Sequence, residues 1–137
     1  MRTARELLLT YLDAVRDPDA AAALFAPHGA IELPFLASLG LGARAEGPDQ
    51  IRALLTNLLA VVPDFAFQPA QVFIDTPEQV YAEYAVAATT AEGRPFEQLY
   101  AGRLVAVGDR IVLLREHLDL VKTARALLPN GIADIPT

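Results

Sequence analysis

The sequence has no cysteine, one lysine (Lys122), one methionine and two histidines, His28 and His117. Without cysteine there can be no disulfide, no thiolate nucleophile and none of the thiolate-based zinc sites. Two histidines are too few to suggest a transition-metal site built from protein ligands alone, so no metal and no other cofactor is expected. Acidic residues outnumber basic ones 17 to 11, for a net charge of −6, and the basic residues do not cluster. A surface that tracks nucleic-acid phosphates is therefore not expected. The arginine-over-lysine bias, with abundant alanine and proline, fits GC-rich coding and lowers the weight of any single arginine. No apolar run reaches the roughly 18 residues of a membrane span, so no membrane association is expected. The opening Met1-Arg2-Thr3-Ala4-Arg5-Glu6 leads into an apolar segment interrupted by Asp13, which reads as a helix and not as a secretion signal. A cytoplasmic location is the matching expectation.

What the chain does have is apolar residues. They make up 53% of its 137 positions, with a mean hydropathy of +0.31. A single domain over residues 1–137 is expected, burying about two-thirds of the surface of its unfolded chain. The apolar excess points to a large core, an apolar cavity or a buried oligomer interface.

Periodicity divides the chain in two. Thr3-Ala4-Arg5-Glu6 is a capping box opening a helix over about 3–16, with Leu7, Leu8, Tyr11, Ala14 and Val15 on one stripe. Asp17-Pro18 starts a short helix from Asp19 to Ala26. Pro27-His28-Gly29 reads as a turn into a strand, Ala30 to Phe35, whose apolar side is Ile31, Leu33 and Phe35. The glycine-rich stretch Ala37 to Gly47 reads as a loop. Gly47-Pro48-Asp49 opens a third helix carrying Ile51, Leu54, Leu55, Leu58, Leu59 and Val62 on one face. After Pro63 the period changes to two, giving strands over about 65–74, 79–90, 95–107 and 110–118. Connections this short require antiparallel hairpins. A final helix runs from about Asp119 to Leu128. The fold class is thus α+β, with N-terminal helices packed on a curved antiparallel sheet that forms a cone with one open mouth.

Chemistry concentrates at the end of the last strand, Ile111 to Leu118. Alternation turns Arg115 and His117 one way and sends Glu116 the other, with Val112, Leu114 and Leu118. A carboxylate on an apolar, inward face loses hydration, its pKa rises, and it becomes suited to proton transfer near neutral pH. A one-residue slip would instead put Glu116 outside, paired with an arginine. A two-residue turn at Gly108-Asp109 pairs Ala101 with Glu116 and Arg103 with Leu114, so Arg103 could face inward and hold a carboxylate or phenolate. A bulge would turn Gln98 and Tyr100 inward instead. His28, in its turn, reads as solvated, His117 as an outer-face or dimer-interface residue, and Glu83 and Glu97 as solvated or interface charges and not pocket acids.

The order of elements resembles the NTF2-like (cystatin-like) superfamily, which includes SnoaL-like polyketide cyclases and ketosteroid isomerases. Tyr11-Leu12-Asp13-Ala14, Ala22-Ala23-Leu24-Phe25-Ala26 and Gly108-Asp109-Arg110-Ile111 through Arg115-Glu116-His117-Leu118-Asp119 look like its landmarks. Val62-Pro63-Asp64-Phe65, the Arg-Glu-x-x-Asp ending at Asp119, Arg125-Ala126-Leu127 and Ile135-Pro136-Thr137 resemble the phenazine-biosynthesis A/B family. The resemblance implies an oxyanion donor at Tyr11. It puts the isomerase general base at Leu33 and the second acid near Ala101 or Gly102, which argues against steroid isomerisation. It implies an acid–base Glu at Glu116, whereas the helix His of the phenazine family falls near Leu55. Arg103 could match the arginine of the epoxide-hydrolase branch, without its aspartates.

The expected site therefore has Glu116, Tyr11 and Arg103 as catalytic candidates, with Leu33, Phe35, Leu55, Leu58, Tyr100 and Leu118 contacting a ligand. The expected partner is a small apolar or aromatic molecule, handled by lyase, isomerase or cyclase proton transfer without a cofactor. A non-catalytic binding or dimerisation module is the competing expectation. A homodimer through the outer sheet face is expected, using Tyr81, Ala85, Ala87 and Val105 or Ala106.

Overall fold

Helices at both ends of the chain close over one face of a curved, unclosed six-stranded sheet in the computed structural model, which describes all 137 residues. Helix α1 (Ala4–Ala14) starts at the capping box, where the Thr3 hydroxyl accepts from the Glu6 backbone N–H and Glu6 accepts from the Thr3 N–H. Its apolar stripe buries Leu7, Leu8, Tyr11 and Val15. Helix α2 (Pro18–Ala22) is capped by Asp17 and ends four residues before the expected Ala26. Helix α3 (Gly47–Val61) places Ile51 and Leu55 in the core.

The strands are β1 (Phe25–Glu32), β2 (Arg44–Glu46), β3 (Gln71–Asp75), β4 (Gln79–Thr89), β5 (Pro95–Val107) and β6 (Arg110–His117). They lie in the order β2-β1-β6-β5-β4-β3. Strands β3 to β6 form the expected antiparallel meander. The β1–β6 pair is parallel, a departure from the all-antiparallel expectation. The hairpin constraint acts only on strands joined by short turns, whereas β1 and β6 are joined through α3 and three other strands.

Local expectations were corrected in three places. Pro27-His28-Gly29 lies inside β1, in the irregular stretch where its register on β6 shifts between Phe25 and Ala30. The strand ends at Glu32, and Pro34–Leu39 forms a short 3-10 helix, so strand alternation no longer aims Phe35. The segment 65–70 pairs with the sheet as strand only at an isolated Phe67–Val86 bridge, although its Phe65 and Phe67 rings pack on the inner face. It is also anchored by Arg16, whose Nη1 donates to the carbonyls of Pro63 and Phe65 at 3.0 and 2.8 Å.

Helix α4 (Leu120–Leu127) is fastened at both ends. The Asp119 carboxylate caps it, accepting from the N–H groups of Val121 and Lys122. The buried Gln98 amide clasps the same end, donating to the Asp119 carbonyl and Thr123 Oγ1 at 3.1 and 3.0 Å and accepting from the Asp119 N–H at 2.9 Å. At the other end Arg94 donates to the carbonyls of Leu128 and Pro129, which the helix leaves without intrahelical partners. Replacing Gln98 by Leu keeps the volume but leaves the part-buried Asp119 N–H without its acceptor and removes one bond each from the Asp119 carbonyl and Thr123 Oγ1, which stay bonded to each other. We expect a loss of about 2 kcal/mol, read by denaturant unfolding, with faster amide exchange at Asp119 to Thr123.

Candidate functional site

The β5–β6 hairpin decides which side chains meet. Its turn is the two-residue Gly108-Asp109, since Val107 pairs with Arg110 and Ala106 with Ile111. Val105 then pairs with Leu113, so Val112 is bulged out and everything beyond it moves by one residue. Glu116 consequently lies opposite Gly102, and Arg103 lies opposite Arg115. The bulge therefore corrects the placement of Arg103. It is exposed on the outer face, where its Nη1 donates to Gln79 Oε1 at 3.3 Å, and it cannot reach a ligand on the inner face. Gln98 and Tyr100 point inward, as the bulged reading requires.

Between the helices and the inner sheet face lies a cavity of about 100 Å³, with apolar walls apart from Glu116, Thr123 and the tyrosine hydroxyls. Tyr11 reaches it from α1, Leu33 from the end of β1, and Leu55 and Leu58 from α3. Tyr100 on β5, Glu116 on β6 and Leu118 just beyond complete the expected set. Phe35 is the exception among the apolar candidates. It is half exposed and packs edge-on against the His117 ring at 4.8 Å, while its neighbour Leu36 faces the cavity. Phe65, Phe67 and Phe96 supply a contiguous aromatic wall, with ring centroids 5.0 to 5.8 Å from Phe65.

Glu116 is 4% exposed and forms no ion pair. Its Oε2 accepts a hydrogen bond from the Tyr84 hydroxyl at 2.5 Å. Burial pushes its carboxyl up to about 7, against the smaller opposing effect of the Tyr84 hydrogen bond. Desolvation, reinforced by the Glu116 charge, lifts the phenols of Tyr11, Tyr84 and Tyr100 well above the usual value. All three tyrosines thus stay protonated donors at neutral pH. Every polar side-chain atom sealed inside the protein has a hydrogen-bond partner. The hydroxyls of Tyr11 and Tyr100 and Oε1 of Glu116 make no hydrogen bond to protein, and all three side chains line the cavity.

Sequence reasoning overlooked the aromatic wall of Phe65, Phe67 and Phe96 and also Tyr84, which holds Glu116. The parity of Tyr84 along β4 was legible, because it falls in register with the inward Val80, Ala82, Val86 and Ala88. The other available signal was Gly102, a glycine inside a strand, which often marks a close approach by another group.

This combination of helices over a curved sheet, with the cavity between them, defines an NTF2-like fold. A family model described as a SnoaL-like domain matches residues 9–114, and the chain belongs to that family. Solved structures agree on the fold. A Bacillus subtilis protein provisionally named an isomerase superposes with a TM-score of 0.79 at 22% identity, over 90% of this chain and 91% of that one. A phenazine biosynthesis-related protein of Pseudomonas aeruginosa gives 0.77 at 20% identity, over 98% and 86%. A Catenulispora acidiphila protein with a ketosteroid isomerase-like fold, crystallised with trimethylamine, gives 0.77 at 20%, over 98% and 99%. No functionally curated protein matches the sequence.

Proposed function

We propose that this protein is an enzyme that moves a proton on a small apolar or aromatic molecule, in isomerase, lyase or cyclase chemistry needing no cofactor. One observation carries the reading: a buried carboxyl with no cationic partner, poised near neutrality, opens through a free oxygen onto an apolar cavity. At about 100 Å³ the space suits a single ring. As a carboxylate, Glu116 takes a proton from carbon beside a carbonyl group. The C–H electron pair moves into the carbonyl, and the oxygen gains negative charge. Tyr11 and Tyr100 donate hydrogen bonds to that oxygen, the role their uncommitted hydroxyls suit. Protonated Glu116 then returns the proton to the same or another carbon, completing an exchange or an isomerisation.

We also propose a homodimer formed through the outer sheet face, and a cytoplasmic location for it. Tyr81, Ala85, Ala87 and Val105 share that face with the exposed Leu99, whereas Ala106 is buried inward and drops from the set. A dimer of standard size would cover about 1,600 Å² in total. Sedimentation at tens of micromolar protein is expected to show a dimer, and monomer alone would count against it.

The proton-transfer reading is tested with 2-cyclohexen-1-one as probe, by following deuterium uptake beside its carbonyl in D2O. Wild-type protein is expected to accelerate uptake over buffer. Binding of the probe with no acceleration would favour a non-catalytic binding module.

A further inference from the structure

The hydrogen bond that restrains Glu116 crosses a whole strand. Tyr84 stands on β4 and Glu116 on β6, with β5 between them. Tyr84 pairs directly with Tyr100, and the two rings stack at 6.0 Å with 14° between their planes. The Tyr84 hydroxyl extends past Tyr100 along the same face to the next inward position of β5, which is Gly102. A Cβ built on Gly102 would sit 2.0 Å from that hydroxyl and 2.8 Å from the ring carbon bearing it. Gly102 is the direct partner of Glu116 on β6. Its missing side chain is therefore the passage through which a β4 phenol reaches a β6 carboxylate. The backbone conformation at Gly102 is not one that demands glycine, so close approach alone explains the residue.

We infer that Tyr84 is a positioning residue: reaching through the gap at Gly102, it holds Oε2 of Glu116 and leaves Oε1 as the carboxylate oxygen free to exchange a proton in the cavity. Tyr84 itself does not line the cavity, so it acts on a ligand only through Glu116. A carboxylate with both oxygens free would rotate about its terminal bond and present either one. Donation to Oε2 fixes the plane of the group and directs the chemistry to one oxygen. The same donation favours the charged form, offsetting part of what burial does. The other titratable groups acting with Glu116 are Tyr11 from α1 and Tyr100 from β5, both neutral, and no charged side chain contributes to its shift.

This inference rests on the proton-transfer reading for its purpose but not for its test. The test titrates the Glu116 side-chain carboxyl carbon by NMR in wild type, Tyr84→Phe and Gly102→Ala. Tyr84→Phe keeps the ring and its stacking, and its Glu116 midpoint is expected to move upward by about one pH unit. Gly102→Ala keeps the phenol but displaces it, and should move the midpoint the same way. If the alanine variant does not fold, Tyr84→Phe alone decides. The pH profile of deuterium uptake should follow the Tyr84→Phe midpoint upward, a response that loss of packing would not give. A Glu116 midpoint unmoved in Tyr84→Phe overturns the inference, whatever the uptake assay gives. A midpoint that moves, with no uptake by the wild type, supports the role of Tyr84 and defeats the proton-transfer reading instead.

Discussion

Glu116→Gln should leave stability nearly unchanged at pH 4 and raise it by about 3 kcal/mol at pH 8. The sign follows from where the proton sits. In the unfolded chain the carboxyl titrates at its ordinary value near 4.5, and in the folded protein at about 7. Below pH 4.5 both states are protonated, and the buried neutral acid costs the fold little. Between about 4.5 and 7 the unfolded chain loses its proton while the folded protein keeps it, so wild-type stability falls with rising pH. Above about 7 both states are ionised and the loss is complete. Glutamine has no proton to lose, and its side-chain oxygen can still accept from Tyr84. The gain at pH 8 corresponds to roughly 10 °C in melting temperature for a chain of this length. Thermal melts of both proteins from pH 4 to 8 check it. Parallel curves would mean that Glu116 is not titrating from a buried site.

How much of this was readable beforehand can be traced residue by residue. The stripes of α1 and α3 repeat cleanly over several turns, and they delivered Tyr11, Leu55 and Leu58 to the cavity. Glu116 was legible because a single carboxylate interrupts an apolar strand. Arg103 was not, because its direction depends on a bulge at Val112 within Ile111-Val112-Leu113-Leu114. Four apolar residues in a row carry no alternation, so nothing in the local pattern shows where one drops out of the ladder. Phe35 failed for a different reason: the strand ends at Glu32 and the chain enters a 3-10 helix at Pro34, resetting the direction of every later side chain. The parallel pairing of β1 with β6 joins segments about eighty residues apart in sequence, a relation beyond local periodicity. Tyr84 had both signals available, inward parity and an inward glycine on the neighbouring strand. They gain meaning only once the register sets Gly102 beside Glu116.

The largest effect is expected on chemistry. If Glu116 is the group that removes and returns the proton, replacing it by glutamine deletes general acid–base catalysis while preserving shape and the Tyr84 contact. Such catalysis contributes typically 10²–10⁴-fold, roughly 3–5 kcal/mol of barrier. Tyr11 and Tyr100 would remain to polarise a bound carbonyl, so a small residual acceleration over buffer should persist. Affinity for the probe should change little at pH 6, where wild-type Glu116 is mostly protonated and resembles the neutral amide.

The most direct measurement is deuterium uptake by 2-cyclohexen-1-one in D2O, followed by NMR across pH 5–9 with wild-type protein and Glu116→Gln side by side. The account predicts wild-type uptake that rises through a midpoint near 7 and falls by on the order of 10²–10⁴-fold in the variant, with probe binding retained. Equal uptake by the two proteins, both faster than buffer, would contradict it.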